Sequence, residues 1–451
     1  MVKDNSLGLI YISISLALLY LGLTWYSGSV VFLQVGAVYI AVVFGTSAFI
    51  DKEQKLNFIK IVGFFLFVYS AFAIITHYLF IDQPLQNYFV NVDSYGFLSD
   101  ALSLSKLSLG DLWHVAFTDF QYSGSPLFYG WIGTLQKIIG LDRFHSLLFQ
   151  KLNVAFLGSF IPGIVYLLCK RITVDKKAFK AAFVYGFFSF VFIYSVALMR
   201  DVHMALIYGI ALYIITGDNY SLKNYVILVV LGLLAYYIRM ENGLFFLAFI
   251  GIWLYKSESR NKMLLAAGSV TAIAGVVFAL GGIDTIYQMA FSTIERYSER
   301  GIERAGQGSL GVQLMRLPVP INYIGATAFG QIGPFPFWVV FREGLAAVKN
   351  IFYLPEAIAG LFWFSIWMRI IRRPKQAMEF YRQYKYLVLT VILYLVVVSI
   401  AQPGARRLMA VYPIIFMAYV YISNNMLKAK ELLINISVYG LLLVVYFFLK
   451  G

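Results

Sequence analysis

Long apolar runs recur along nearly the whole chain and are separated by short polar segments. A run such as Leu7–Tyr26 is continuously apolar over 20 residues, which is enough for a helix to cross a hydrocarbon core about 30 Å thick. A transmembrane β-barrel would instead show segments of about ten residues with alternating polarity. The pattern predicts an all-α, polytopic helical membrane protein, a single integral-membrane domain over residues 1–451. About 13 transmembrane helices are predicted, at 7–26, 29–50, 58–81, 146–169, 178–198, 202–216, 224–238, 243–255, 263–281, 351–370, 386–401, 406–423 and 430–450.

Composition strengthens this interpretation. Hydrophobic residues make up 61% of the chain and charged residues 13%, against about 45–50% and about 25% in soluble domains. So little charge cannot cover a soluble protein, which excludes a soluble enzyme or a DNA-binding domain. The single cysteine, Cys169, excludes a disulfide scaffold.

The Lys and Arg residues concentrate in loops that would lie on one side of the membrane. The chain carries 36 Lys and Arg against 22 Asp and Glu, and cytoplasmic loops of membrane proteins are enriched in Lys and Arg. With the N-terminus inside, the basic loops at 52–60, 170–180, 256–262 and 369–385 all fall on the cytoplasmic side. We therefore expect a multi-pass protein of the cytoplasmic (plasma) membrane, with the lipid bilayer and not nucleic acid as its partner.

Two large segments then face the extracytoplasmic side, at 82–145 and 282–350. The first is acidic, and its stretch Pro126–Leu141 is too interrupted for a span, so it is predicted as a juxtamembrane helix in the interface or packed on the outer ends of the bundle. The second contains Val319–Phe341, a candidate re-entrant hairpin because glycines and prolines break it.

Candidate chemistry begins in the first outer segment with Asp93, Tyr95 and Asp100. A carboxylate just outside the bilayer, beside aromatic surface, can have a raised pKa and act as a general base. The alternative is that Asp93 caps a helix beginning at Ser94.

Two abrupt outer turns carry further ionisable residues. One contains Arg200, Asp201 and His203, and the next contains Arg239 and Glu241. Arginine in such a place can bind an anionic headgroup or a phosphate. A local ion pair with interfacial anchoring is the alternative.

Arginines also recur later in the chain. Arg296, Arg300 and Arg304 form one stripe at helical spacing, either an anion-binding surface or a solvated face with weak ion pairs. The adjacent residues Arg406 and Arg407 are predicted at an outer turn, which is an exception to the positive-inside trend. They are expected either to bind a phosphate or to extend to the outer lipid headgroups.

From residue 60 to 423 the arrangement resembles the GT-C class of integral-membrane glycosyltransferases, including protein mannosyltransferases and aminoarabinose transferases. The resemblance rests on Asp93 with Tyr95, the stretch Tyr122–Leu127 before an amphipathic helix, the Arg200-Asp201 turn, and Arg406-Arg407 with Tyr412-Pro413. It implies a polyprenyl-phosphate-linked sugar donor and a glycan, lipid or protein acceptor on the extracytoplasmic face. It also implies that Asp93 is the base, while a divalent cation stays an open question because the neighbouring positions are Val92 and Ser94.

The expected function is inverting transfer of the sugar, with outer-face arginines binding the lipid phosphate. A surface-polysaccharide polymerase or ligase is the nearest alternative, favoured by the stripe at 296–304. A lipid or solute transporter is the alternative from another class. It predicts inverted repeats or ionisable groups near the middle of the membrane, and the sequence pattern shows neither.

Overall fold

The computed structural model describes residues 3–80, 92–119, 121–122, 124–257, 268, 317–318, 320–332, 354–401, 405–423 and 429–450. Within these residues the secondary structure is entirely helical. The helices are α1 (Lys3–Ser27), α2 (Val31–Thr46), α3 (Lys52–Phe80), α4 (Val92–Leu104), α5 (Leu109–Thr118), α6 (Pro126–Ile139), α7 (Arg143–Lys170), α8 (Asp175–Phe188), α9 (Phe190–Tyr194), α10 (Asp201–Ile215), α11 (Leu222–Ile238), α12 (Met240–Lys256), α13 (Ile321–Ile332), α14 (Leu354–Arg372), α15 (Pro374–Gln383), α16 (Lys385–Ala401), α17 (Ala405–Leu408), α18 (Tyr412–Ile422) and α19 (Ala429–Lys450).

Five of the described helices are long and apolar enough to cross a membrane: residues Leu7–Ser27, Val31–Phe49, Lys52–Phe80, Arg143–Lys170 and Leu354–Arg372. The count becomes six if α15 and α16, which meet at a bend of 108°, form one span. These helices support a helical membrane protein. The count of 13 spans remains a prediction, and the span predicted at 263–281 lies outside the described residues.

Two predicted spans are not continuous helices. The apolar run 178–198 divides into α8 and α9 at Ser189, which has an extended backbone, and then turns until Arg200. The run 406–423 divides into α17 and α18, because Pro413 lies in the first turn of α18 and proline disfavours a helix interior. Hydropathy does not reveal either break, since the residues around both breaks are apolar.

The antiparallel helices α3 and α7 form the centre of the bundle. The ring of His77 lies 4.5 Å from that of Phe144 at one end, and a Cβ at Gly163 would stand 2.8 Å from the Phe58 ring toward the other. Helices α1 and α2 pack on α3, whereas α8, α10 and α18 pack on α7. Such close helix contacts are typical of membrane bundles, where small residues let backbones approach.

Helices α4, α5 and α6 pack on one another at one end of this pair, which we call the α4–α6 end. Pro126 starts α6 and Gly140 ends it with a left-handed backbone (φ 62°). Asp142 then caps α7 by accepting hydrogen bonds from the backbone N–H groups of Phe144 (2.8 Å) and His145 (3.0 Å). This tight corner places α6 against α4 and α5, beside the first turns of α7.

Candidate functional site

Helix α4 presents two carboxylates on one face. Asp93 and Asp100 are seven residues apart, so they lie two turns, about 10 Å, apart along the same side of the helix. Asp93 stands exposed in the first turn, within the helix and not before it. Asp100 is half-buried and accepts a hydrogen bond of 2.8 Å from the Gln121 side chain. Burial raises the pKa of Asp100, and the Gln121 hydrogen bond partly opposes that rise.

Tyr129 of α6 is affected electrostatically by these carboxylates and by an arginine. Its ring packs against those of Tyr122 (5.0 Å) and Phe97 (5.8 Å). Burial and the negative charge of Asp100 raise the pKa of Tyr129 to about 12, while the positive charge of Arg200 opposes the rise and Asp93 adds a smaller contribution. The phenol is therefore close enough to all three charged groups to be affected by each.

Arg200 is held at the α5–α6 corner. Its guanidinium donates a hydrogen bond to the hydroxyl of buried Ser125, the residue before α6. The turn that carries Arg200 is also tied to α4, because the Ser94 hydroxyl donates to the carbonyl of Leu198 (3.3 Å). Two contacts from different elements thus bring the arginine of one predicted constellation to the carboxylates of another.

Asp201 and Arg239 form a buried ion pair across the two predicted outer turns. Arg239 Nη1 lies 2.8 Å from Asp201 Oδ1, and each side chain is 6% exposed. In a buried pair of this kind each side chain neutralises the charge of the other, and the pair holds the two segments together. The structure therefore favours a structural role for these two residues. The ion pair joins one turn to the other, whereas the sequence analysis considered a pair within a single turn.

Tyr95 and His203 border the site. The Tyr95 ring lies 5.6 Å from the Arg143 guanidinium at the start of α7, a cation–π contact. His203 is partly buried in α10, and its ring meets Phe128 of α6 edge-on at 5.4 Å. Both residues therefore connect α4 and α6 to the central bundle.

Buried hydrogen bonds and ring contacts connect the backbone of Arg407 with that of Asn242 in α12. The Tyr394 hydroxyl donates to the Arg407 carbonyl (3.1 Å), the rings of Tyr394 and Tyr208 lie 5.7 Å apart, and the Tyr208 hydroxyl donates to the Asn242 carbonyl (2.8 Å). Helix α17 also contacts α9, shortly before Arg200. Arg407 is 8% exposed, so it belongs to the packed interior near the α4–α6 end.

For several predicted site residues, the structure does not describe the side chain. Glu241 lies in α12 and Arg406 in α17, with side chains outside the described set, and Arg296, Arg300 and Arg304 lie wholly outside it. Tyr412, named in the resemblance, is buried among aromatic rings, with Trp363 at 4.5 Å and Tyr185 at 5.2 Å. Its role in the fold is therefore packing.

Sequence reasoning missed two residues of the site, Gln121 and Tyr129, and neither carried a usable signal. Ser125 was included only as part of the stretch Tyr122–Leu127, without a role of its own. Among the described residues, no three His, Cys, Asp or Glu side chains gather as a metal site. The α4–α6 end carries a pair of carboxylates, a phenol and an arginine, a set of groups that suits proton transfer next to an anionic group.

No family model, curated protein or solved structure matches this chain in comparisons with known proteins.

Proposed function

We propose that the chain is a membrane glycosyltransferase of GT-C type, which moves a sugar from a polyprenyl-phosphate donor to a glycan, lipid or protein acceptor on the extracytoplasmic face. The observation that carries the proposal is that two hydrogen bonds join the Arg200 turn to the helices of the α4–α6 end. Arg200 donates to Ser125 before α6, and Ser94 of α4 donates to the Leu198 carbonyl. Transfer needs a base for the acceptor and a cation for the leaving phosphate. A carboxylate of α4 and the guanidinium of Arg200, which lie at the same end of the bundle, are our candidates for these two roles.

In the proposed reaction Asp93 takes the proton of the acceptor hydroxyl. The acceptor oxygen bonds to the anomeric carbon as the bond from that carbon to the phosphate oxygen breaks, and the phosphate leaves with the electron pair. Arg200 stabilises the charge that develops on this phosphate. A single displacement inverts the anomeric centre, and the sugar–phosphate bond supplies the driving force.

Asp93 is exposed at the surface, whereas Asp100 is half-buried and accepts a hydrogen bond from Gln121. We assign Asp100 the role of holding the acceptor or orienting Gln121 and Tyr122. Arg239 is engaged by Asp201, so it contributes to the proposed site by holding the α10 and α12 turns together.

The test is transfer by purified chain in liposomes that contain polyprenyl-phosphate sugars, compared with Asp93→Asn. We expect Asp93→Asn to lower turnover by about 10² or more, the usual contribution of a general base, with unchanged thermal stability. Asp111→Asn is the matched control, because Asp111 is an exposed aspartate in the next helix of the same segment. Near-normal turnover by Asp93→Asn would remove the base assignment.

The same assay separates the nearest alternative. A polymerase or ligase extends a ladder of repeat units or moves a whole glycan, whereas a transferase adds one sugar.

A second candidate function, transport, is favoured by one observation. Lys151 and His77 are fully buried within the long helices α7 and α3, and ionisable groups inside membrane helices often mark pathways for ions or substrates. Solute flux in proteoliposomes that persists in Asp93→Asn, without sugar transfer by the unmodified chain, would support transport over transfer.

A further inference from the structure

The corner between α15 and α16 exposes positive charge at one end of α16. The two helices meet at a bend of 108°, and α15 is fixed to the bundle through Phe380, whose ring packs against those of Tyr384 (4.9 Å) and Tyr421 (5.6 Å). Arg382, near the end of α15, and Lys385, which begins α16, are both exposed. The corner therefore presents two cations that are three positions apart in the chain.

An exposed pair of aromatic rings lies next to these cations. Tyr255 near the end of α12 and Tyr386 in the first turn of α16 meet edge-on at 4.8 Å, and they are 67% and 41% exposed. The ammonium of Lys385 lies 5.8 Å from the centre of the Tyr386 ring. Tyrosine is enriched at the level of the lipid headgroups in membrane proteins, because one end of its side chain is apolar and the other is polar. Such a pair is typical of a membrane–water boundary.

Beyond Tyr386, α16 carries an exposed apolar stripe. Leu389, Ile392 and Leu393 are all exposed, and they lie with Tyr386 on one face because residues three and four positions apart are neighbours on a helix. The buried residues of α16 lie on the other face. From Lys385 to Leu393 the surface thus changes from cationic to aromatic to apolar within about 12 Å.

The side of α12 that borders this stripe is recessed. The two helices are antiparallel, because Phe245 meets Tyr394 (5.0 Å) on the same pair of helices on which Tyr255 meets Tyr386. Gly251 lies between these contacts, one turn before Tyr255 on the same face of α12, and it is exposed. A Cβ built at Gly251 would meet nothing within 4 Å. This leaves room beside the stripe for a slender apolar chain.

We infer that this surface binds a phospholipid with an anionic headgroup. The phosphate lies at Arg382 and Lys385, and the ester groups lie beside the two tyrosines. One acyl chain follows Leu389 and Leu393 next to Gly251. Guanidinium and ammonium groups form charge-assisted hydrogen bonds with phosphate, and cations next to an apolar helix attract anionic lipids.

The order of chemical groups along α16 favours a lipid over a soluble acidic partner. A soluble acidic partner would use the cations and leave the apolar stripe exposed, whereas a lipid joins a charged group to an apolar chain and matches every part of the surface. The surface lies at the start of α16, and Arg407 is contacted from the later part of this helix through Tyr394. It is therefore separate from the proposed transfer site and does not depend on a transfer reaction.

The test uses the full chain purified in detergent and native mass spectrometry, which counts bound phosphatidylglycerol or phosphatidylcholine over a series of lipid concentrations. Arg382→Gln combined with Lys385→Gln removes both charges, whereas Arg382→Lys combined with Lys385→Arg keeps them. Lys106→Gln combined with Lys137→Gln is the matched control, because these two lysines are exposed on α4 and α6 at the other end of the bundle. Gly251→Leu fills the recess at a position with open space around its Cβ.

We expect the unmodified chain to bind phosphatidylglycerol about tenfold more tightly than phosphatidylcholine, and the charge-removing variant to lose that preference. The charge-keeping variant and the matched control retain it. Gly251→Leu weakens the binding of phosphatidylglycerol, because the acyl chain loses its place.

The inference is overturned if the unmodified chain does not distinguish the two lipids, or if the charge-removing variant distinguishes them equally well. Loss of the preference in that variant without any effect of Gly251→Leu overturns the phospholipid as occupant and indicates a soluble acidic partner. Thermal unfolding checks that each variant is folded. If Gly251→Leu is not folded, the charge variants decide.

Discussion

At the scale of single residues, burial distinguishes the two aspartates of α4. Asp93 is exposed, whereas Asp100 is half-buried beside Tyr122 and Tyr129, and burial raises its pKa. The environment expected for a general base is thus developed most strongly around Asp100, while the accessible carboxylate is Asp93.

The raised pKa of Asp100 predicts a pH-dependent stability. The folded chain holds this proton more tightly than the unfolded chain, so the stabilising contribution is complete below the ordinary aspartate pKa and is lost as pH rises through the folded-state pKa. Asp100→Asn keeps an acceptor for Gln121 and does not ionise. We expect the unfolding midpoint of the unmodified chain to fall relative to Asp100→Asn across that range. Thermal unfolding at a series of pH values checks this, with Asp111→Asn as control, and a constant difference would contradict it.

At the scale of elements, the turn between α9 and α10 determines where Arg200 lies. Gly158 of α7 allows that turn to pack closely, because a Cβ there would stand 2.6 Å from Ser195 Cβ. The turn then reaches α4 through Ser94 and the start of α6 through Ser125. We therefore expect the close packing at Gly158 to influence the position of Arg200, five residues after Ser195.

Gly158→Ala is accordingly expected to destabilise the chain by about 1–3 kcal/mol, as overpacking does, and to weaken use of the sugar donor by displacing Arg200. Gly110→Ala is the matched control: Gly110 lies in α5, and a Cβ there meets nothing within 4 Å. Alanine favours helix, so Gly110→Ala should be neutral or slightly stabilising. Thermal unfolding and donor-concentration profiles check both variants, and equal behaviour of the two would refute the close-packing argument.

At the scale of the whole molecule, the antiparallel pair α3 and α7 gives the bundle two chemically different ends. The acidic and aromatic helices α4–α6 lie at one end. The basic corner between α7 and α8 lies at the other, where the Tyr166 hydroxyl and the Asn57 amide donate to Asp175 at 2.6 Å and 2.8 Å. This separation agrees with the charge asymmetry expected across a membrane.

Cysteine labelling tests whether these ends face opposite sides. The only native cysteine, Cys169, is fully buried, so single cysteines at Asp93 and at exposed Lys176 can be read above a low background. We expect a membrane-impermeant maleimide added to intact cells to label the Asp93→Cys protein, and the Lys176→Cys protein only after permeabilisation. Labelling of both proteins in intact cells would contradict the predicted topology.

The sequence by itself determined the helical class of the described chain and the approximate bounds of its long apolar helices. These depend on composition and on helical periodicity, which are local properties. Only the tertiary structure decided that Asp201 pairs with Arg239 across 38 residues, that Arg200 meets Ser125 across 75, and that Lys151 is enclosed. Such contacts depend on which helices pack together and at what angle. Hydropathy carries no information about that, because lipid-facing and protein-facing apolar residues look the same.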